Sequence, residues 1–121
     1  MALTKTPVCD FGKKAEDFKL KSIENKIISL NDVKGEKATL IMFICNHCPY
    51  VKAIIRDLAK DCKELKKEGI NSVAIMSNDT KNYPEDSFDK MIKFAKANNF
   101  GEINYLLDET QDIAKKYGAV C

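Results

Sequence analysis

Leu40-Ile41-Met42-Phe43-Ile44 runs directly into Cys45-Asn46-His47-Cys48-Pro49, and an amphipathic stretch from Val51 to Lys67 follows. From Ala38 to Ile44 nearly every residue is apolar, without alternation, which suits a strand buried on both faces in the middle of a mostly parallel sheet. Beyond the cysteines, Val51, Ile54, Ile55, Leu58, Cys62 and Leu65 fall on one helical face, with Lys52, Arg56, Lys60, Lys63 and Lys67 elsewhere. Pro49 sits in the first turn, where a missing N–H costs nothing, and Gly69 stops the helix. A strand therefore breaks into a helix at a Cys-x-x-Cys pair. The helix start offers unpaired N–H groups and partial positive charge, and both stabilise a thiolate, the reactive form of cysteine.

Upstream, Phe18 to Ile23 alternates apolar and polar, as a half-buried strand does. Glu24-Asn25 is a turn candidate and Lys26 to Leu30 a second short strand, so the two form a hairpin. Asn31 to Gly35 reads as one helical turn closed by glycine. Downstream, Ile70 to Ser77 is a second buried strand, followed by a polar loop from Asn78 to Tyr83. Pro84 opens a helix carrying Phe88, Met91, Ile92 and Ala95 on one face. Ile103 to Leu107 is a short strand. Asp108-Glu109-Thr110-Gln111 has the form of a capping box, with Asp108 as N-cap, and the helix it starts ends at Gly118. Strands alternating with helices imply an α/β domain with right-handed crossovers.

The 121 residues make a single domain, and 45% hydrophobic residues suffice for a core. A net charge of +2 with interspersed signs gives no case for nucleic acid or a membrane surface as partner. Met1 to Phe18 carries charges and no apolar core of a signal peptide, so the expected location is cytoplasmic. The five cysteines, Cys9, Cys45, Cys48, Cys62 and Cys121, are odd in number and irregularly spaced, which is not a disulfide framework. In a reducing compartment a close pair is catalytic or metal-binding rather than structural. Cys62 reads as a small core residue, Cys9 as incidental and Tyr50 as a surface or substrate-groove contact.

Buried strand, Cys-x-x-Cys and long helix together resemble the thioredoxin-like superfamily, and within it the redoxin branch of peroxiredoxin-related, AhpC/TSA-type proteins. Asp17-Phe18-Lys19-Leu20 is similar to the opening of redoxins, and Ser29-Leu30 to Lys34-Gly35 to their hairpin exit. Ser77-Asn78-Asp79 with Tyr83-Pro84-Glu85-Asp86-Ser87, and Leu107-Asp108-Glu109 with Tyr117-Gly118, continue the likeness. The resemblance implies a three-layer α/β/α fold with an N-terminal hairpin. It also places Tyr117 to Cys121 at the lead-in to the active-site cis-proline loop. Pro7, Pro49 and Pro84 cannot fill that role, so the sequence reads as a redoxin lacking the C-terminal hairpin and helix. Without those elements the Ala38–Ile44 strand would have an open edge, an association hazard.

The resemblance further implies a thiol-disulfide oxidoreductase. Cys45 would attack a substrate disulfide and Cys48 would resolve the mixed disulfide, with a protein or small-molecule disulfide or dithiol as partner and no cofactor. Cys45 should be the more exposed and the more acidic, and three-residue spacing on one helical face should make closure easy. Asn46, His47 and Pro49 support the pair, and Cys121 would lie near it as a third thiol. His47 is the only histidine. It is either a cation that stabilises the Cys45 thiolate, making the pair more oxidising, or solvent-exposed polar surface.

Two other readings stay open. In peroxiredoxins the peroxidatic cysteine aligns with Cys48, but a threonine stands where this chain has Cys45. A metal module could use Cys45, His47 and Cys48, with Cys121 approaching. Structural zinc takes four ligands, however, and the chain has no second Cys-x-x-Cys, so no metal is expected.

Overall fold

The computed structural model describes residue 5 and residues 8–119. Pro7, Val120 and Cys121 lie outside the described residues, and with Cys121 goes the third thiol expected beside the pair. Strands β1 (Lys19–Ser22) and β2 (Ile27–Ser29) form the hairpin and lead into the short helix α1 (Leu30–Val33). Then come β3 (Ala38–Phe43), α2 (Pro49–Lys67), β4 (Ile70–Met76), a 3-10 turn (Pro84–Asp86), α3 (Phe88–Ala97), β5 (Ile103–Leu107) and α4 (Asp112–Lys116).

One five-stranded sheet has the order β2-β1-β5-β4-β3. The β3–β4 and β4–β5 pairs are parallel, whereas β1 is antiparallel to both β2 and β5. Side chains alternate across a strand, and β4 shows the consequence. Ala74 and Met76 pack on one side with Ile55, Ala59 and Cys62 of α2 and Met91 and Ala95 of α3. Val73 and Ile75 pack on the other side with Val33 of α1 and Ile113 of α4. This is the three-layer α/β/α arrangement, and Cys62, 1% exposed, is the core residue expected.

Local chemistry sets the joints. Cys48 is the N-cap of α2, with extended backbone and no side-chain capping bond, and Pro49 is the first helical residue. Gly69 ends α2 with φ of +81°, a conformation that disfavours other residues. Gly35 is needed for space instead: a Cβ there would lie 2.8 Å from the Asn71 backbone nitrogen and even closer to the Ala38 carbonyl.

Three expectations need correction. Ala38–Phe43 is the last strand of the sheet, with the open edge expected of it, but it is only half-buried rather than buried on both faces. Its apolar character comes from helix packing on both faces, since Leu40 and Met42 meet one core and Ile41 and Phe43 the other. Pro84 opens only the 3-10 turn, and α3 starts later, with Ser87 as N-cap accepting from the Lys90 N–H. Asp108 is not an N-cap either. That position falls to Gln111, in a left-handed conformation with no side-chain cap bond. Asp108, 1% exposed, still serves α4 from beneath, accepting from the N–H groups of Ile113 (3.3 Å) and Ala114 (2.9 Å) and from the Ser77 hydroxyl (2.8 Å).

Among the described residues the outer edge of β3 has no partner strand. An unpaired apolar edge templates pairing with another chain. Size-exclusion chromatography with light scattering is expected to show self-association, or a monomer that melts without cooperativity. A monodisperse, cooperatively melting monomer would contradict this.

Candidate thiol site

Because β3 and β4 run parallel, the loops leaving their C-terminal ends lie at the same edge of the sheet. The β3 loop carries Cys45 to Cys48, and the β4 loop carries Asn78 to Asp86. The second loop supplies what holds the first.

Asp86 is the centre of this junction and is 0% exposed. Its Oδ1 accepts the backbone N–H of Asn46 at 2.7 Å, and its Oδ2 accepts from Asn78 Nδ2 at 2.8 Å. Asn46 is itself buried. Its Nδ2 donates to the Glu85 carbonyl at 3.0 Å, and its Oδ1 accepts the Tyr105 hydroxyl at 2.7 Å. The residue between the cysteines is thus tied at three points, to the β4 loop and to β5. Burial, with the charge of Asp86 and then Cys45 nearby, pushes the Tyr105 hydroxyl far above its ordinary range, so it remains a donor.

His47 is not surface decoration. Its ring stacks on Tyr83, with centroids 5.5 Å apart and planes 8° from parallel. Its Nδ1 lies 2.6 Å from Asp86 Oδ2. The approach is close enough for an ion pair but is not aligned as a hydrogen bond, and this buried nitrogen has no hydrogen-bond partner. A protonated His47 would therefore pair first with Asp86 rather than serve Cys45 alone.

Cys45 is half-buried and Cys48 is 9% exposed, so the order of exposure is the one read from sequence. Both are free thiols. The acidity expected of Cys45 is not found. Burial pushes the Cys45 thiol up, the Asp86 carboxylate adds to this, and the backbone N–H groups of Cys48 and His47 only partly offset them. A helix start lowers a thiol pKa when the sulfur faces water or cations; here desolvation and a like charge prevail. The spacing argument also changes, because Cys45 precedes the helix and only Cys48 touches its start. The two cysteines are brought together by a loop wrapped over backbone N–H groups, not by a shared helical face.

The donor atoms of Cys45, His47 and Asp86 all lie within 4.8 Å of one another, the one such group found among the described residues. Sequence reasoning missed Asp86, Asn78, Tyr83 and Tyr105 as parts of the site. The available signal was the parallel pairing itself, which places polar residues after one strand beside those after its neighbour. Cys9 is exposed and plays no part. A groove of about 520 Å³ lined by Arg56, Lys60, Lys63 and Gly101 contains no cysteine.

A three-layer sheet with a Cys-x-x-Cys loop at the start of its long helix defines a thioredoxin-like domain of the redoxin branch. The AhpC/TSA family matches residues 11–121, and the chain belongs to that family. Among solved structures, an uncharacterised conserved protein of Geobacillus kaustophilus is 45% identical with a TM-score of 0.85, the match covering 91% of this chain and 58% of that one. A hypothetical protein of Sinorhizobium meliloti 1021 is 36% identical with a TM-score of 0.90, covering 95% of this chain and 62% of the other. The chain thus spans about three fifths of each of these relatives. A secreted Mycobacterium tuberculosis disulfide oxidoreductase, homologous to the Escherichia coli protein DsbE, has a TM-score of 0.66 at 16% identity over 83% of this chain and 66% of its own; that likeness concerns the fold. A comparison with curated proteins finds no match. No helix among the described residues is long and apolar enough to cross a membrane.

The geometry makes a titration prediction. With a chelator present, the rate of alkylation at Cys45 should rise with pH around a midpoint above the ordinary thiol value, because burial and Asp86 disfavour the thiolate. Asp86→Asn removes the like charge, so the midpoint should move down. Mass spectrometry of the Cys45 peptide against pH checks this, and a midpoint below the ordinary value in the unmodified protein would contradict it.

Proposed function

We propose that this domain exchanges disulfides with a protein or small-molecule partner through Cys45 and Cys48. The observation that carries the reading is the asymmetry of the pair: a half-exposed Cys45 above a buried Cys48 at the start of α2. The Cys45 thiolate attacks one sulfur of a substrate disulfide, forming a mixed disulfide and releasing the other sulfur as a thiolate. The Cys48 thiolate then attacks Cys45 Sγ, closing the Cys45–Cys48 disulfide and expelling the second substrate thiolate. Two electrons pass to the substrate, and a dithiol partner returns them. Burial and the Asp86 charge raise the Cys45 pKa, so the rate of the first attack scales with the fraction of Cys45 present as thiolate.

Asn46 and Pro49 act as positioning residues, one tying the loop to Asp86, Glu85 and Tyr105 and the other fixing the first turn of α2. Tyr50 is 71% exposed, and Ile54, one turn on, is 55% exposed. They offer apolar surface beside the thiols for a docking substrate. The proposal carries a reducing, cytoplasmic setting, in which the pair rests as thiols. The structures of a secreted oxidoreductase and of a thiol-disulfide oxidoreductase domain from Bacteroides vulgatus share the fold, and their names are consistent with the chemistry proposed.

Reduction of insulin disulfides, with dithiothreitol as donor, tests the reading. Cys45→Ser should abolish turnover, and Cys48→Ser should trap a mixed disulfide visible by mass. Turnover that survives Cys45→Ser would overturn it. So would hydroperoxide consumption that needs Cys48 alone, which is the peroxidase result.

A further inference from the structure

We propose that the side chains of Cys45, His47 and Asp86 form a binding site for zinc(II). This goes beyond disulfide exchange and replaces the Cys45–His47–Cys48 set that the sequence suggests. Three observations carry it. The donor atoms of the three residues lie within 4.8 Å of one another. His47 Nδ1 is buried without a hydrogen-bond partner, although it faces the Asp86 carboxylate at 2.6 Å. And Asp86 is a fully buried carboxylate whose aligned hydrogen bonds come from neutral groups only, the Asn46 N–H and the Asn78 amide.

The last point is electrostatic. A buried charge is tolerated when paired or bound to a metal; the amide dipoles do not neutralise it, which leaves a protonated His47 or a metal ion as the counter-charge. A divalent cation between Asp86 and a Cys45 thiolate would balance both negative charges. The amide donors then take a second role. They fix the plane of the carboxylate and leave an Oδ2 lone pair free, as groups behind metal-bound carboxylates do. The Tyr83 ring likewise fixes the imidazole plane.

The donor set selects the ion. One sulfur, one nitrogen and one oxygen suit a borderline divalent cation such as zinc, whereas copper(I) prefers several sulfurs. Tetrahedral zinc would space these donors about 3.3–3.5 Å apart, given metal–ligand lengths of about 2.0–2.3 Å. The Nδ1–Oδ2 pair must open slightly and the sulfur draw in. Three protein ligands leave the fourth position to water or an incoming group, and the half-exposed Cys45 and His47 mark the open side.

The test uses the reduced, chelator-stripped chain. Zinc is titrated against a chromophoric chelator, and cobalt(II) is added separately to read the thiolate-to-metal absorption band. One equivalent is expected, with the cobalt–thiolate band present. Cys45→Ser should abolish the band. His47→Gln and Asp86→Asn should each weaken zinc binding by at least about tenfold, while Cys48→Ser should keep both stoichiometry and band. Circular dichroism reports whether each variant is folded, and if Asp86→Asn is not, the partly exposed His47→Gln decides. Equal affinity in His47→Gln, absence of a band in the unmodified protein, or loss of binding in Cys48→Ser would overturn the site. Insulin reduction by the stripped protein is read separately, so a missing zinc site and a missing exchange activity give different results.

Discussion

The Asp86 carboxylate holding the Asn46 N–H is the contact on which the site depends. It spans forty residues of sequence and ties two loops together at 2.7 Å. A carboxylate with no exposure is costly unless donors surround it, so the residues around Asp86 are constrained as a group. Asn46 gives its backbone N–H and Asn78 its amide, and the His47 ring nitrogen lies 2.6 Å away. The Cys45–Cys48 loop takes its shape from meeting that demand. Burial raises the pKa of the Cys45 thiol, and the same charge adds to it. The group that organises the reactive cysteine thus also restrains it.

The sheet makes this contact possible. Parallel pairing of β3 and β4 in the register Ala38↔Ile70 to Phe43↔Ile75 brings the two strand ends level. Tyr105 reaches Asn46 from β5, the next strand across. The core therefore does more than stabilise the fold: Ile75, Met76 and Tyr105, each 0% exposed, set the heights of the strand ends from which the loops depart. The thiols sit above the best-packed part of the molecule, although β3, which carries them, is the strand with a free edge among the described residues.

Much of the fold was legible in the sequence because periodicity reports burial directly. Ile55 and Cys62 of the α2 face are buried where they were read, although Ile54, read onto the same face, is 55% exposed, and β4 is the second buried strand expected. What periodicity does not give is lateral order. An apolar strand covered by helices on both faces reads like a central one; the edge position of β3 was legible only through the family resemblance. The cysteine pair was legible as a local motif. Its acidity was not, because Asp86 reaches it only through the fold, and a rule for helix starts omits a buried carboxylate arriving from another loop. Asp108 shows the same limit: its service to α4 was visible in the spacing, but the helix begins beyond Gln111, and the carboxylate acts from beneath rather than as the cap.

If the carboxylate of Asp86 shapes the thiol loop, the amide of Asn46 should report it. Hydrogen exchange resolved by NMR measures that amide directly. The account predicts slow exchange at Asn46 in the reduced protein. It also predicts a large acceleration there in Asp86→Ala, while the amides of Val73 to Met76 in β4 stay protected. Fast exchange at Asn46 in the unmodified protein, or protection unchanged by Asp86→Ala, would contradict it.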